Sequence, residues 1–393
     1  MNVLVVIHYF PPHLGGLEEV GRNQAASLAR AGHDVTVITC RHDRRIAKTE
    51  RVEPGYTVRR VRAMNFVESR FGVTFPIVSP LLLLTLFRAA RRADLVHIHE
   101  VLYPPSHAAA LAAKLARRPL FITQHVAVVA FPNALVRAVQ RVAYRLAGRR
   151  LFRQARGIVT YNANVRDFVI AQGADPSTVL LHHNGIDTDY FSPTTDDEAR
   201  RLRREYDLPV DRPVILFVGR LVPKKGYDIL YEARSPAYFT LLAGNGYVDT
   251  GIRDDEDARF FGPANREQLR DLYRACDVFV FPALGEIFTL VMQEAMASGV
   301  PVVTTDDPGY AEYDLDRDGI AFVERSTSAV RAAIEEILGD EPRRRRMSAY
   351  SRGLAVERFS WESNFPDEEA IYANAIPDAR VGATAEPMGE RHA

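Results

Sequence analysis

Two glutamates, Glu286 and Glu294, lie eight residues apart in the segment PALGEIFTLVMQEAMASGVPVV, residues 282–303. On one continuous helix the two residues would be about 12 Å apart along the axis. The pattern instead predicts a loop that contains Glu286 and a short helix from about Leu290, with Thr289 as its N-cap. Free backbone N–H groups at such a helix start can bind phosphate. Carboxylates beside a phosphate site suggest a ligand that also has hydroxyl groups, such as a nucleotide sugar.

The predicted helix is apolar on almost every side, so Glu294 in its middle is expected to be buried and to need a hydrogen-bonding partner. An alternative interpretation makes Glu286 a solvated loop residue and Glu294 a hydrogen-bonded residue of the core. Two glutamates at any one spacing are common, so the choice between these interpretations depends on the rest of the chain.

A second segment contains residue types that bind anions. The predicted strand VILFVG is followed by RLVPKKG, which contains Arg220, Lys225 and Gly226. Arginine can hold a phosphate with two hydrogen bonds, and lysine adds a compact charge. A strand, a tight turn and a helix start are the usual surroundings of a phosphate in a parallel α/β sheet. Taken alone, the segment fits a solvated basic loop equally well.

Histidines and glycines in the first half give weaker signals. His97 and His99 share one face of a predicted strand and could be metal ligands, but no third ligand lies at a recognisable spacing, so packing or a polar pocket wall is favoured. Gly15 and Gly16 follow the first strand and predict either a tight turn or close approach of the backbone to a phosphate. Acidic pairs in the second half fit surface loops and predict no metal site: Asp254-Asp255 and Asp306-Asp307.

The composition predicts a soluble protein with two domains. A chain of 393 residues can form two cores. Cys40 and Cys276 lie far apart in apolar segments, which indicates a reducing compartment rather than disulfides. We expect no signal peptide and no membrane span. The net charge is zero, yet residues 1–195 carry a net +12 and residues 196–393 a net −12, so the two halves face different surroundings.

Alternating strands and helices predict an α/β fold with two parallel sheets, each covered by helices on both faces. The polar segment TTDDEARRLRREYDLPVDRP separates two βα series. The economical architecture has two Rossmann-like domains that face a central cleft. We expect a domain at 1–195, a second at 196–360, a C-terminal helix near 361–376 that can pack back on the first domain, and a loose tail at 377–393.

A set of short motifs runs in order along nearly the whole chain: YFPPxxGGxE, GHDVTV, DLVHIH, NGID, GRLxxKKG, AGNG, LYxxCDVFVFP, E-x7-E with AMAxGxPVV, and ERFSWE. Each motif is modest alone, but the ordered set resembles the retaining GT-B glycosyltransferases of family 4 (group 1). The resemblance implies a GT-B fold with an acceptor-binding first domain and a donor-binding second domain. It also implies transfer of a hexose from a nucleotide-diphosphate sugar to a hydroxyl group, with retention of configuration.

The resemblance assigns roles to single residues. Arg220 and Lys225 would clamp the donor diphosphate, and these cations remove the need for a metal or another cofactor. Glu294 would bind the ribose hydroxyls, and Glu286 would contact the donor sugar. His125, at the end of the predicted strand FITQH, would be the active-site histidine, although as a lone histidine it could equally be a core residue. Backbone N–H groups would complete the phosphate site: Gly15, Gly16, Phe288, Thr289, Leu290.

Two departures from the family pattern concern the donor site. Ile287 and Thr289 stand where the family often has glycine, so the phosphate loop is expected to have a different contour. The segment from Gly226 to Gly262 is short and has room for only an abbreviated helix after Gly246. This segment bears on the nucleobase pocket, so the sequence does not choose between UDP, GDP and another nucleotide.

A basic helix predicted from Asn133 to about Arg156 suggests where the acceptor is bound. Residues 101–166 contain no acidic residue and eleven basic ones. Such a helix can dock on an anionic membrane surface, which would suit a lipid-linked acceptor; a solvated helix face is the alternative. Nucleic-acid binding is a third alternative, but the segment lacks the interleaved aromatic residues that would support it. Five arginines repeat along the helix at every fourth position: Arg137, Arg141, Arg145, Arg149, Arg153.

Three classes of function fit these patterns. The favoured class is a cytoplasmic glycosyltransferase, either free or peripheral on the cytoplasmic face of the membrane, with a lipid-linked or a soluble small-molecule acceptor. A nucleotide-sugar epimerase has the same architecture but needs no acceptor. A nucleotide-sugar-binding scaffold would bind the donor without turnover.

Overall fold

The structure is a computed structural model that describes residues 1–13, 15–41, 43, 45–64, 77–79, 81–128, 134–182, 185–245, 251–284 and 288–376. The chain forms two compact units, one of Met1–His182 with Phe365–Ala393 and the other of His183–Asn364. Each unit contains a mainly parallel sheet with helices packed against it. The predicted α/β fold class is therefore confirmed.

In its described part, the first unit has a nine-stranded sheet with the order β3-β4-β2-β1-β6-β7-β8-β9, and β5 pairs with β4. The pairs that β4 forms with β3 and β5 are antiparallel, and the other pairs are parallel. Central strands are buried on both faces, which explains their continuous apolar sequences. The strands are β1 Asn2–Val6, β2 Asp34–Arg41, β3 Thr49–Val52, β4 Tyr56–Met64, β5 Ile77–Val78, β6 Leu95–His99, β7 Leu120–Gln124, β8 Gly157–Thr160 and β9 Val179–Leu181.

The basic helix of the first unit differs from the prediction. It begins in the described chain at Ala134 and contains a π-helical turn, Tyr144–Gly148, that divides it in two. The Tyr144 ring is buried, and its hydroxyl donates to Glu100 Oε1 at 3.1 Å. Asn133 lies outside the described residues. The helices of this unit are α1 Gly16–Arg30, α2 Leu81–Ala90, α3 Pro104–Ala116, α4 Ala134–Ala143, α5 Arg149–Gln154 and α6 Ala163–Ala171, with a short 3-10 turn at Pro176–Thr178.

The second unit has a six-stranded sheet with the order β12-β11-β10-β13-β14-β15, and each of its pairs is parallel. Its strands are β10 Val214–Val218, β11 Phe239–Ala243, β12 Ala258–Gly262, β13 Val278–Phe281, β14 Val302–Thr305 and β15 Ala321–Val323. The helices from here to the end of the described chain are α7 Asp196–Glu205, α8 Tyr227–Glu232, α9 Arg266–Ala275, α10 Leu290–Ala297, α11 Thr327–Gly339, α12 Glu341–Arg358 and α13 Trp361–Ala375, with 3-10 turns at Pro223–Lys225 and Pro308–Tyr313.

The boundary between the units lies at His183, earlier than the position 195 expected from composition. Ile186 pairs with the end of the second unit: its N–H donates to the Phe359 carbonyl at 2.6 Å, and its carbonyl accepts from Trp361 N–H at 3.1 Å. A Cβ on Gly185 would lie 2.6 Å from the Trp361 ring, so this position needs glycine. The NGID segment therefore belongs to the second unit because it packs against the ERFSWE segment.

The described residues contain no helix that is both long and apolar enough to cross a bilayer. Cys40 and Cys276 are both free thiols, the first buried and the second half-buried. Burial raises the pKa of Cys40 to about 12, so its thiol is not a reactive nucleophile. Cys40 lies in β2, and Cys276 is the C-cap residue of α9.

Candidate active site

The basic loop of the second unit lies at the carboxyl end of β10. Arg220 follows this strand and is exposed, while Lys225 ends the 3-10 turn with its Nζ 5.3 Å from the centre of the Phe281 ring. Strands β10 and β13 are paired, so the loops after both strands lie at the same edge of the sheet. The structure therefore places the two predicted phosphate-binding cations beside the segment that leads from β13 to α10.

Gly226 fixes the close packing of this loop. Its φ is +76°, and a Cβ at this position would lie 2.3 Å from the Pro282 carbonyl oxygen. A side chain here would meet backbone rather than the end of a flexible side chain, so the loop or the segment after β13 would have to move. The glycine thus sets the distance between the basic loop and the start of the Glu286 segment.

Gly226→Ala should lower the midpoint of unfolding of the second unit well below that of Gly262→Ala. Both glycines have positive φ, which costs alanine roughly 1–2 kcal/mol, but a Cβ at Gly262 would contact nothing within 4 Å. Of these two positions, only Gly226 would also place the new Cβ against a backbone atom. Urea unfolding followed by the fluorescence of Trp361, the one tryptophan of the chain and a buried residue of this unit, measures the difference. Equal midpoints in the two variants would contradict the tight packing of Gly226.

Glu294 lies on α10 with only 9% of its surface exposed. The Tyr273 hydroxyl donates to its Oε2 at 2.8 Å, which supplies the hydrogen-bonding partner that the sequence required. The Tyr273 ring is itself held by an edge contact with Phe279 of β13, at 5.8 Å between ring centres. The carboxylate is thus held by the core of the unit at the helix that begins beside the basic loop.

Thr289 occupies the N-cap position of α10, but the prediction that its side chain caps the helix is wrong. Its hydroxyl makes no capping hydrogen bond and has no partner among the described residues, although it is buried. The Thr289 carbonyl instead accepts from the N–H groups of Met292 and Gln293. The Phe288 ring is buried and packs 4.9 Å from that of Phe359, and the phosphate contact assigned to its backbone N–H stays a prediction. Leu290 is the first residue of α10, as expected.

Glu286 and its neighbours Gly285 and Ile287 lie outside the described residues. The contact of Glu286 with the donor sugar therefore stays a prediction, as does the contour of this part of the loop. Residues 246–250, where the sequence leaves room for only an abbreviated helix, also lie outside the described residues.

Gly15 and Gly16 stand at the start of α1, the helix that follows β1 in the chain. A Cβ on Gly15 would lie 2.1 Å from the carboxylate of Glu18, which is buried and bonded to His13 Nδ1 at 2.7 Å. Although burial opposes ionisation, the hydrogen bond from His13 and the nearby His8 hold the pKa of Glu18 below its usual value. The sequence analysis missed this carboxylate, which already occupies the positive end of the helix.

His125 follows β7 and is half-buried, with its Nε2 3.1 Å from His99 Nδ1. Burial lowers the pKa of His125 to about 3, so the ring is neutral at physiological pH. His97 and His99 are fully buried and hydrogen-bond to core residues rather than facing solvent. No group of three or more potential metal ligands occurs among the described residues. The favoured interpretation of the two strand histidines is packing or a polar pocket wall, and their burial among core residues fits packing.

Glu100, which the sequence analysis also missed, anchors the chain beside His125. It has a φ of +64° and is buried, and its Oε1 accepts hydrogen bonds from the Gln124 amide and the Tyr144 hydroxyl. Burial raises its pKa to about 7. A glutamate directly after a predicted strand gave no signal of this role, because its partners come from β7 and from the π-helical turn.

The basic helix presents both charge and apolar surface. Of the five predicted arginines, Arg137 is half-buried and the other four are exposed. Val139, Val142 and Leu146 on the same helix are 60%, 54% and 73% exposed. A groove of about 410 Å³ lies between this helix and α3, and Leu146 and Arg150 are among its lining residues. The described surface thus combines exposed aliphatic side chains with guanidinium groups.

Comparisons with known proteins agree with the motif order. The family model described as Glycosyl transferases group 1 matches residues 198–354. The model described as Glycosyltransferase Family 4 matches residues 14–190. The D-inositol 3-phosphate glycosyltransferase of Mycolicibacterium smegmatis is 30% identical, with 93% of this chain and 88% of that protein covered. The protein of the same name from Corynebacterium aurimucosum is 29% identical, with 93% and 94% covered.

Solved structures show the fold. Sucrose-phosphate synthase from Thermosynechococcus elongatus has a TM-score of 0.72 at 20% identity, with 96% of this chain and 100% of that chain covered. HepE of Anabaena, solved in complex with UDP-glucose, has a TM-score of 0.70 at 18% identity, with 94% and 99% covered. These structures have the GT-B fold, and the prediction of a GT-B fold for this chain is therefore confirmed. Because both family models match and a relative is similar over nearly its whole length, the chain belongs to the group 1 glycosyltransferases of family 4.

Proposed function

We propose that this protein is a retaining, metal-independent glycosyltransferase that moves a hexose from a UDP- or GDP-linked donor to a hydroxyl acceptor. The observation that carries the proposal is the buried carboxylate of Glu294, which the core holds at the sheet edge that also presents Arg220 and Lys225. A carboxylate beside two cations suits a ligand with both hydroxyl and phosphate groups. The UDP-glucose complex of a structure with the same fold supports this class of donor.

The charges of the basic loop support the chemistry of transfer. When the bond between the anomeric carbon and the donor diphosphate breaks, negative charge grows on the diphosphate and positive charge on the sugar ring. Fixed cations at the leaving group stabilise this state more than the ground state. In the same-face reaction that we propose, the acceptor oxygen attacks the anomeric carbon, and its proton passes to the departing phosphate. Two cations suffice for this step, so the proposal requires no metal.

The acceptor that we propose is anionic. The relatives named D-inositol 3-phosphate glycosyltransferase suggest a small phosphorylated polyol. The net charge of +12 in residues 1–195 favours an anionic acceptor of this kind or a lipid-linked one with phosphate groups. Either acceptor distinguishes a transferase from an epimerase, which would convert the donor sugar alone.

Thermal unfolding in the presence of EDTA tests the donor class. We expect UDP or GDP to raise the melting temperature without metal, because a ligand at 100 times its dissociation constant stabilises the folded state by about 2.7 kcal/mol. ADP and TDP serve as comparison nucleotides of the same charge. Stabilisation that appears only after addition of Mg²⁺ would contradict metal independence, and no stabilisation by any nucleotide or its sugars would contradict the donor site.

We further propose that the basic helix docks on an anionic membrane surface, so that the protein can reach an acceptor there. The exposed aliphatic residues Val139, Val142 and Leu146 could enter the lipid interface while nearby arginines contact anionic head groups. The absence of acidic residues from 101 to 166 removes repulsion from this surface.

Leu146→Gln should weaken binding to vesicles of phosphatidylglycerol and phosphatidylcholine by roughly fivefold. The substitution removes about 1 kcal/mol of favourable free energy that the leucine side chain gains when it enters the lipid interface. Val210→Gln provides the matched control, since Val210 is a 48% exposed aliphatic residue of the second unit. Co-sedimentation at fixed lipid concentration gives the bound fraction. Equal loss of vesicle binding in both variants would contradict docking through this helix. Binding of the wild type to phosphatidylcholine vesicles but not to vesicles that contain phosphatidylglycerol would also contradict it.

A further inference from the structure

A chain of hydrogen bonds connects the candidate catalytic histidine with the C-terminal helix. His125 Nε2 lies 3.1 Å from His99 Nδ1, and His99 Nε2 lies 2.8 Å from Gln24 Oε1. The Gln24 amide nitrogen in turn donates to Glu368 Oε1. These side chains come from the end of β7, from β6, from α1 and from α13, all within the first unit. We call this set of four side chains the relay.

Each member of the relay can be assigned as a donor or an acceptor. Gln24, His99 and Glu368 are 0% exposed. Burial and the neighbouring histidines hold the pKa of His99 well below its ordinary value, and burial lowers that of His125 to about 3. Both rings are therefore neutral, with one N–H donor and one lone-pair acceptor each. Each hydrogen bond in the relay consequently fixes the direction of the next.

An ionised Glu368 can only accept hydrogen bonds, so it receives one from the Gln24 amide N–H. The Gln24 carbonyl then accepts from His99 Nε2–H, and the lone pair on His99 Nδ1 accepts from His125 Nε2–H. His125 Nδ1 is left without a proton, as a hydrogen-bond acceptor. The structure shows Gln24 in this orientation, with Oε1 toward His99 and Nε2 toward Glu368.

A protonated Glu368 reverses the direction of every bond. Its hydroxyl donates to the Gln24 carbonyl after the amide turns over, and the Gln24 amide N–H donates to His99 Nε2. His99 Nδ1–H then donates to His125 Nε2, and the proton of His125 moves to Nδ1. His125 now presents a donor where it presented an acceptor. The heavy atoms keep their places, apart from the exchanged oxygen and nitrogen of Gln24.

We propose that Glu368 is a positioning residue that sets the tautomer of His125 through Gln24 and His99, and so decides whether this histidine accepts or donates a hydrogen bond at the substrate. The proposal rests on the proposed role of His125 in glycosyl transfer. The described hydrogen bonds of Glu368 are all made through Oε1, the oxygen that faces Gln24 and carries the proton in the neutral form, while Oε2 is buried and has no partner among the described residues. Burial raises the pKa of Glu368 to about 7, so both forms are present near neutral pH.

Other titratable groups around the relay have pKa values outside this range, with one exception. Burial lowers the pKa of His97 to about 3 and that of His8 to about 4. Burial also raises the pKa values of Tyr161 and Tyr372 well above their ordinary value. The Tyr372 hydroxyl forms a hydrogen bond with His97 Nδ1 at 2.6 Å. Glu100, with a pKa also raised to about 7 by burial, is the exception and needs its own control.

The relay can be tested by NMR of the full chain with ¹⁵N-labelled histidine between about pH 5.5 and 8.5. The His125 signals are identified by their loss in His125→Gln. In the wild type we expect the protonated nitrogen of His125 to change from Nδ1 at low pH to Nε2 at high pH, with a midpoint near 7. Glu368→Gln should abolish this exchange because the side chain no longer titrates.

Two variants serve as matched controls. Glu369→Gln removes a carboxylate from the next position of α13, where it bonds His33 Nε2 at 2.7 Å, and should leave the exchange unchanged. Glu100→Gln removes the other carboxyl group that titrates near neutral pH and should also leave it unchanged. A single tautomer of His125 at every pH, or an exchange that Glu100→Gln abolishes and Glu368→Gln does not, would overturn the proposal.

Transfer assays separate this proposal from the proposed function. In Glu368→Gln we expect the pH dependence of kcat near neutral pH to disappear, while the KM for the donor changes less than about twofold, since the cations that we assign to the donor phosphates, Arg220 and Lys225, are not members of the relay. Tautomer exchange without sugar transfer in the wild type would refute the proposed function and leave the relay intact. Sugar transfer without tautomer exchange would refute the relay and leave the function intact.

Discussion

Replacing Lys225 by methionine should lower kcat for sugar transfer by about 100-fold or more, because the departing diphosphate loses a fixed cation where its charge develops. Methionine keeps an unbranched side chain that can cover the Phe281 ring, from which the Lys225 ammonium lies 5.3 Å. The loss should therefore come from the charge rather than from packing. The KM for the donor should also rise, because the lysine binds the diphosphate in the ground state as well. Steady-state kinetics at saturating acceptor measure both constants.

Lys224→Met is the matched control for this prediction. Lys224 lies in the same 3-10 turn and has the same charge, but it is exposed and the family resemblance gives it no role. We expect kcat in this variant to stay within about threefold of the wild type. Similar losses in the two variants would show that the net charge of the loop, and not the position of the Lys225 ammonium, supports the reaction.

Local patterns in the sequence were sufficient for the fold class and for the segments that could bind the donor. Continuous apolar runs such as VILFVG predict buried parallel strands because both faces of such strands are covered. The loop of Arg220 and Lys225 could be found because its residue types and the preceding strand place cations at the end of a parallel sheet. Glu294 could be expected to need a partner, although Tyr273 as that partner could not be identified.

Contacts between distant segments could not be predicted. Gly185 packs against Trp361, and this contact moves the boundary of the second unit to His183. No composition change marks that position, since the polar segment comes later in the chain. The contacts of Glu100 and the relay were missed for the same reason: each buried carboxylate accepts its hydrogen bonds from side chains of other strands and helices. A local pattern contains the residue but not its partners.

The N-cap of α10 shows a different limit. Thr289 has the residue type and the extended backbone of an N-cap, yet its hydroxyl does not bond to the helix. Residue type makes a cap available, but the side-chain rotamer decides whether it forms, and neighbouring packing selects that rotamer. Phe288, which directly precedes it, is fully packed among aromatic rings. The geometry of the donor loop therefore depends on packing that the motif itself does not encode.

Glu294→Gln should raise the dissociation constant of the donor nucleotide by about 10- to 100-fold, because a hydrogen bond to a charged group contributes about 1.5–3 kcal/mol. The amide keeps the size of the side chain, and its oxygen can still accept from Tyr273. The lost interaction is therefore the second carboxylate oxygen that we assign to the ribose hydroxyls. Isothermal titration with the nucleotide that stabilises the wild type measures the change.

Tyr273→Phe separates the carboxylate from its support. Phenylalanine preserves the ring that packs against Phe279, but it removes the hydroxyl that holds Glu294 Oε2 at 2.8 Å. The carboxylate stays charged and able to bind ribose but is less well oriented, so we expect a smaller rise in the dissociation constant than in Glu294→Gln. In both variants kcat at saturating donor should change little, because ribose is bound equally in the ground state and the transition state. A dissociation constant in Glu294→Gln within twofold of the wild type would show that Glu294 is a core residue without a role in donor binding.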